Sequence, residues 1–201
     1  MKRAFWQTGL VMILSAAAVA QSLTAAERDR AQKYLEQTRQ GVIAATQGLS
    51  EAQLKFKAGP DRWSIAEVLE HIALAEDYIF GNVKNKIMKA PAGPSNRDTA
   101  KFDAMILAAV PDRTQKRQAP GPLVPTGRWT AAQALAHFEQ SRAATIQFLQ
   151  STPDLRDHVS SDNPFQQPMD AYEWLLFIAA HSERHTKQIA EVKADPNFPK
   201  N

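Results

Sequence analysis

His181 and His185 stand at i and i+4 in the run His181-Ser182-Glu183-Arg184-His185. On a helix that spacing puts both imidazoles on one face, a turn apart, close enough to chelate a single ion. At about 100° per residue, Trp174, Ile178, Ser182, Ile189 and Val192 share their arc, so both rings point into an apolar stripe. A buried polar group without a partner costs on the order of 1–3 kcal/mol, and one divalent ion satisfies both rings together. The competing arrangement gives each ring its own carbonyl or side-chain partner.

His71 supplies the third candidate ligand. It lies on the flank of a second apolar stripe (Ile65, Val68, Leu69, Ile72, Ile79), from which a modest helix rotation aims it inward, and bundle cores assemble metal sites from facing helices. Three neutral imidazoles leave coordination positions open for water or substrate, the arrangement of a reactive site. The chain has no cysteine, so thiolate ligands and disulfides are excluded. The run is not H-E-x-x-H, because Ser182 follows His181 and Glu183 projects away from both rings; protease chemistry is disfavoured. No catalytic base or nucleophile is assigned.

Other polar residues have plainer readings. His137 occupies the matching flank of another helix and reads as a half-exposed histidine before a fourth ligand; His158 falls in a polar loop beside Asp157. Arg142 falls on an apolar arc, where a cation must be paired, snorkelled or used to hold an anion, with pairing to a bundle carboxylate the leading reading. Glu67, one turn before His71, could orient that ligand, but a helix-capping role already explains it.

The elements that must position these residues are helices, and no stretch shows strand alternation. The periodicity predicts an all-α four-helix bundle, with helices over about Thr24–Gln47, Ser64–Met88, Thr130–Gln150 and Asp170–Ala194. Three of these starts carry a capping box: Ser64 with Glu67, Thr130 with Gln133, Asp170 with Glu173. Lys89–Arg128 holds six of the twelve prolines and reads as a long crossover, interrupted by a short helix near Thr99–Ala109. One internal repeat stands out. Arg62-Trp63-Ser64-Ile65-Ala66-Glu67-Val68-Leu69-Glu70-His71 matches Arg128-Trp129-Thr130-Ala131-Ala132-Gln133-Ala134-Leu135-Ala136-His137 as R-W-[ST]-x-A-[EQ]-x-L-x-H.

The N-terminus reads as a secretory signal peptide over residues 1–20: Lys2 and Arg3, an apolar run from Leu10 to Ala20, and the small-residue site Ala18-Val19-Ala20. That apolar run is far shorter than the about 20 residues a spanning helix needs. Residues 21–201 are then one domain, exported to the periplasm or beyond, with no membrane span after cleavage. Losing Lys2 and Arg3 lowers the net charge from +3 to +1, which gives no reason to expect a nucleic-acid partner.

The chain resembles the DinB-like superfamily, which includes bacterial thiol-dependent transferases. The resemblance lies in Leu49-Ser50 with the block Arg62 to His71, and in Tyr172-Glu173-Trp174-Leu175-Leu176 leading to His181-Ser182-Glu183-Arg184-His185-Thr186-Lys187-Gln188-Ile189. It implies a four-helix bundle with a long crossover and a divalent ion (zinc, nickel or iron) on His71, His181 and His185. It also implies a small-molecule substrate, hydrolase or transferase chemistry, and frequent homodimers; a non-catalytic ion-binding or ligand-binding bundle is the alternative. The leader sets this chain apart from the transferases, whose thiol cofactors are cytoplasmic.

Overall fold

The computed structural model describes residues 22–94 and 96–200; the signal-peptide reading of residues 1–20 lies outside the described residues. Among the described residues six α-helices follow one another: α1 (Ala25–Thr46), α2 (Glu51–Lys55), α3 (Ile65–Asn85), α4 (Thr99–Ala109), α5 (Ala131–Ser151) and α6 (Ala171–Lys193). Short 3-10 turns at Ile87–Lys89 and Gly121–Leu123 punctuate the connection between α3 and α5. Helices α1, α3, α5 and α6 form the bundle: α6 lies against α1 and α3, α3 also packs on α5, and α4 lies along α6. No helix among the described residues is long and apolar enough to cross a membrane.

Helix starts follow their capping chemistry. The three predicted boxes are present, and Thr24 with Glu27 and Ser50 with Gln53 add two more. Helix α2 escapes a periodicity reading because five residues span little more than one turn. The first helix stops at Thr46, just before Gly48 takes a left-handed φ of 74°. Among the described residues the helices are accompanied by a two-stranded antiparallel pair, β1 (Val159–Ser160) with β2 (Met169–Asp170), and by an isolated antiparallel bridge between Ala92 and His158. Two residues cannot show a period, and Asp170 serves both as strand end and as the cap of α6.

Two apolar clusters fill the bundle. Leu35, Ile79, Leu149, Tyr172 and Leu175 belong to one; Val42, Ile65, Leu69, Ile72, Phe138 and Ile189 to the other. Each such side chain contributes about 1.5–3 kcal/mol by leaving water.

Arg142 lies on the bundle axis, fully buried, and donates all five of its N–H groups. Nε and Nη2 form a fork on the Glu76 carboxylate, both at 2.8 Å. The Leu35 carbonyl (2.7 Å), Thr38 Oγ1 (2.8 Å) and Ser182 Oγ (2.9 Å) take the rest. One guanidinium thus touches α1, α3 and α6 from α5. Of the three readings of its position, pairing is the one present, with Glu76, and both groups fall five residues past the histidine of their own copy of the repeat.

A second buried ionic group fixes the crossover. Arg156 donates to Asp103 of α4 (2.8 and 3.0 Å), to Asp170 at the cap of α6 (3.0 Å) and to Glu27 of α1 (2.6 Å). Arg97 joins Asp170 and Glu173 from the other side. Burial and the neighbouring Asp170 push the Glu173 carboxyl up to about 7.

Candidate metal centre

His71 is buried on α3, and His185, also buried, follows the half-buried His181 by one turn on α6. The three ring centroids lie 4.4–5.1 Å apart. Among the described residues these form the one group of three or more potential ligands, with a donor atom from each within 4.8 Å of the others. The inward rotation expected of His71 is present, and a Trp63 indole, 4.8 Å away and tilted by 49°, covers its outer side. Phe177 stacks on His181 at 6.3 Å.

Hydrogen bonds determine what each ring offers. His71 Nδ1 stands 2.7 Å from the Leu123 carbonyl oxygen, which can only accept, so Nδ1 carries the proton. His185 Nδ1 stands 2.8 Å from Gln188 Oε1, which also accepts from Arg113 Nη1 at 3.2 Å. An arginine only donates, so this atom is the amide oxygen and His185 Nδ1 is protonated as well. Both Nε2 atoms therefore present lone pairs, and they face each other at 3.2 Å. Two lone pairs at that distance repel unless a positive charge lies between them.

A proton cannot easily play that part. Burial lowers the pKa of His71, a shift the Leu123 hydrogen bond only partly opposes. For His181 and His185, dense packing first and the neighbouring rings second hold the pKa well below the ordinary histidine value. All three rings are neutral at pH 7, as ligation requires. Ligands about 2.1 Å from a tetrahedral ion stand about 3.4 Å apart, which the His71–His185 pair meets at 3.2 Å. The third ring, His181, keeps a donor atom within 4.8 Å of the other two. Its ring takes no hydrogen bond among the described residues and is held by packing, stacked on Phe177 and set against His71 and His185.

The DinB superfamily matches residues 34–189, a span that contains all three histidines and most of the chain. The chain belongs to the DinB superfamily. It is similar to the uncharacterized protein YuaE of Bacillus subtilis (strain 168), 26% identical over 147 residues, 73% of this chain and 86% of that protein. It is also similar in structure to YfiT from Bacillus subtilis, described as a probable metal-dependent hydrolase with an unusual four-helix bundle topology. The TM-score there is 0.59 with 13% identity, over 92% of this chain and 97% of that one. At that identity the likeness speaks to the fold.

Within this superfamily bundle the remaining polar candidates stay outside the centre. His137 bonds Asp77 through Nε2 at 2.5 Å and stacks on Trp129 at 4.5 Å. His158 is held by the Ala90 carbonyl and Asp154, both at 3.0 Å, so it is tethered as well as superficial. Glu67 caps Ser64 and pairs with Lys57, and does not reach His71. Glu183 faces away, accepting from Tyr34 and Lys187. Arg142 is spent on Glu76.

Sequence reasoning missed the residues that orient the rings. Gln188 follows His185 by three residues on the same face, a signal that was there to be read. Leu123 could not be found that way: it acts through its backbone, from a proline-rich segment whose path no local pattern gives.

Proposed function

We propose that this chain is an exported, divalent-metal-dependent enzyme of the hydrolase type, acting on a small molecule, with the ion on His71, His181 and His185. One observation carries the reading: two buried, neutral imidazoles aim their Nε2 lone pairs at each other across 3.2 Å, with their Nδ1 protons already committed elsewhere. The donor set fits zinc, nickel or iron equally, being all imidazole nitrogen. Such an ion supplies Lewis acidity, polarising a carbonyl or phosphoryl oxygen and bringing the ionisation of water toward pH about 7.

The residues of the chain do the rest. Leu123 and Gln188 hold two rings in the tautomer that frees Nε2, the outer-shell role that makes a histidine a better ligand. Trp63 and Phe177 lie against His71 and His181 and limit their rotation. Three protein ligands leave room for a substrate atom or water, as in catalytic rather than structural sites. Hydrolysis stands ahead of thiol transfer because the leader read over residues 1–20 would remove the chain from cytoplasmic thiols. The description of YfiT as a probable metal-dependent hydrolase supports the same choice.

A second reading, ion binding without catalysis, is favoured by one specific observation: the nearby carboxylates are engaged elsewhere. Glu67 caps a helix, Glu70 binds backbone amides and Glu183 binds Tyr34, which leaves no dedicated general base among these described carboxylates.

Elemental analysis of the mature protein purified from its native compartment tests the proposal. One zinc, nickel or iron per chain, lost in His181→Ala, is expected. Absence of stoichiometric metal from the wild-type chain refutes it. Hydrolysis of an ester, amide or phosphoester panel by the loaded protein, abolished by the same substitution, separates enzyme from binding module.

A further inference from the structure

Glu70 precedes His71 in the chain, yet it serves a different partner. Its carboxylate is 2% exposed, an environment that carboxylates occupy only when fully hydrogen-bonded. Oε1 accepts from the Thr126 amide at 2.9 Å and the Arg128 amide at 3.4 Å, and Oε2 from the Gly127 amide at 2.9 Å. Thr126 Oγ1 at 3.4 Å and Arg128 Nε at 3.6 Å complete the shell. Three successive amides turned onto one anion form a concave nest, and the φ of 75° at Gly127 supplies its curl.

Three residues upstream of that nest lies Leu123, whose carbonyl takes the Nδ1 proton of His71 at 2.7 Å. Two consecutive residues of α3 therefore grip one segment at two points. The carboxylate is held by amides and the ring by a carbonyl. The placement of that carbonyl decides the tautomer of His71, and so whether its Nε2 lone pair faces His185. In the second copy of the repeat Ala136 stands where Glu70 stands in the first, and His137 turns to a side chain instead.

We propose that Glu70 is a positioning residue of the three-histidine centre: by anchoring residues 126–128 it fixes the Leu123 carbonyl, and through it the tautomer and aim of His71. The inference rests on the ion-binding reading of that centre for its functional weight, and on the hydrogen bonds alone for its structural content.

The test compares the full mature chain with Glu70→Gln, Gly127→Ala and Glu67→Ala. In Glu70→Gln one acceptor oxygen is replaced by a donor, and Zn²⁺ affinity measured by chelator competition is expected to fall about tenfold, with a changed visible spectrum for bound Co²⁺. Gly127→Ala disturbs the same nest from the loop side, through a φ that L-residues rarely adopt, and is expected to act in the same direction even if Glu70→Gln fails to fold. Glu67→Ala removes a cap from the same helix and is expected to lower thermal stability while leaving Zn²⁺ affinity unchanged. A readout without metal accompanies these: ¹⁵N NMR of the His71 imidazole should show the Nδ1–H tautomer in the wild type and a mixture in Glu70→Gln and Gly127→Ala. Retention of that tautomer in both variants overturns the proposal. Should the wild-type chain take up no Zn²⁺ at all, the ion reading fails by itself, and the tautomer measurement still decides for or against Glu70.

Discussion

The two copies of the R-W-[ST]-x-A-[EQ]-x-L-x-H pattern begin alike and end differently. Both start a long helix with a capping box, and in both the tryptophan folds back over the histidine eight residues on, Trp63 over His71 and Trp129 over His137. Yet His71 is buried against two other imidazoles, whereas His137 keeps about a third of its surface and bonds the half-exposed Asp77. Helix-start chemistry places a side chain relative to its own helix. What that side chain becomes depends on the neighbours it meets, and of the two histidines it is His71 that meets an α6 imidazole and the incoming segment at Leu123. The connection that leads into the second copy is the one that completes the first.

The contrast breaks most severely where the copies join. Glu76→Gln leaves Arg142 buried without a counter-charge and is expected to cost about 3–5 kcal/mol in urea denaturation; a loss below about 1 kcal/mol would show the pair to be dispensable. Replacing both Glu76 and Arg142 by methionine should recover much of that loss.

Next in size is the ion itself. With free Zn²⁺ at about a hundredfold over its Kd, the wild type and His137→Ala should each gain about 2.7 kcal/mol, while His71→Ala gains nothing. Equal gains in both histidine variants would erase the functional difference between the copies.

The acid response of the ion-free protein sharpens the contrast further. His71 titrates below its ordinary value of 6.5 when folded, so the unfolded chain binds the extra proton. Its contribution is complete above pH 6.5 and is lost as pH falls from there toward the depressed folded value. His71→Asn should flatten that part of a stability-against-pH curve; an unchanged slope contradicts the burial argument. Smallest is Asp77→Asn, which weakens an exposed pairing of His137 and should change stability by under about 1 kcal/mol, with no change in ion uptake.

Much of this was legible beforehand because it is written in local patterns. Capping boxes set the starts of α3, α5 and α6, and the 3.6-residue period put His181 and His185 on an inward face. Arg142 on an apolar arc announced a carboxylate, though not which one. The unread features are those that depend on contacts distant in sequence or on backbone atoms. Leu123 acts through a carbonyl; Glu70 binds amides 56 to 58 residues away; Arg156 gathers acids from α1, α4 and the start of α6. No period or motif encodes such contacts, since they arise only when the crossover has been laid down.

The bond from Arg142 to Ser182 has a further consequence. Ser182 lies on α6 directly after His181 and three residues before His185. A helix turns by about 100° per residue, so a slip of α6 by one position would swing both imidazoles away from His71 and carry Ser182 off the axis together with them. The fully engaged guanidinium acts on α6 as a key in a shaft: it admits one rotational phase of the helix and penalises every other. The angular setting of the histidines is thereby a property of the bundle's centre, made before any ion arrives.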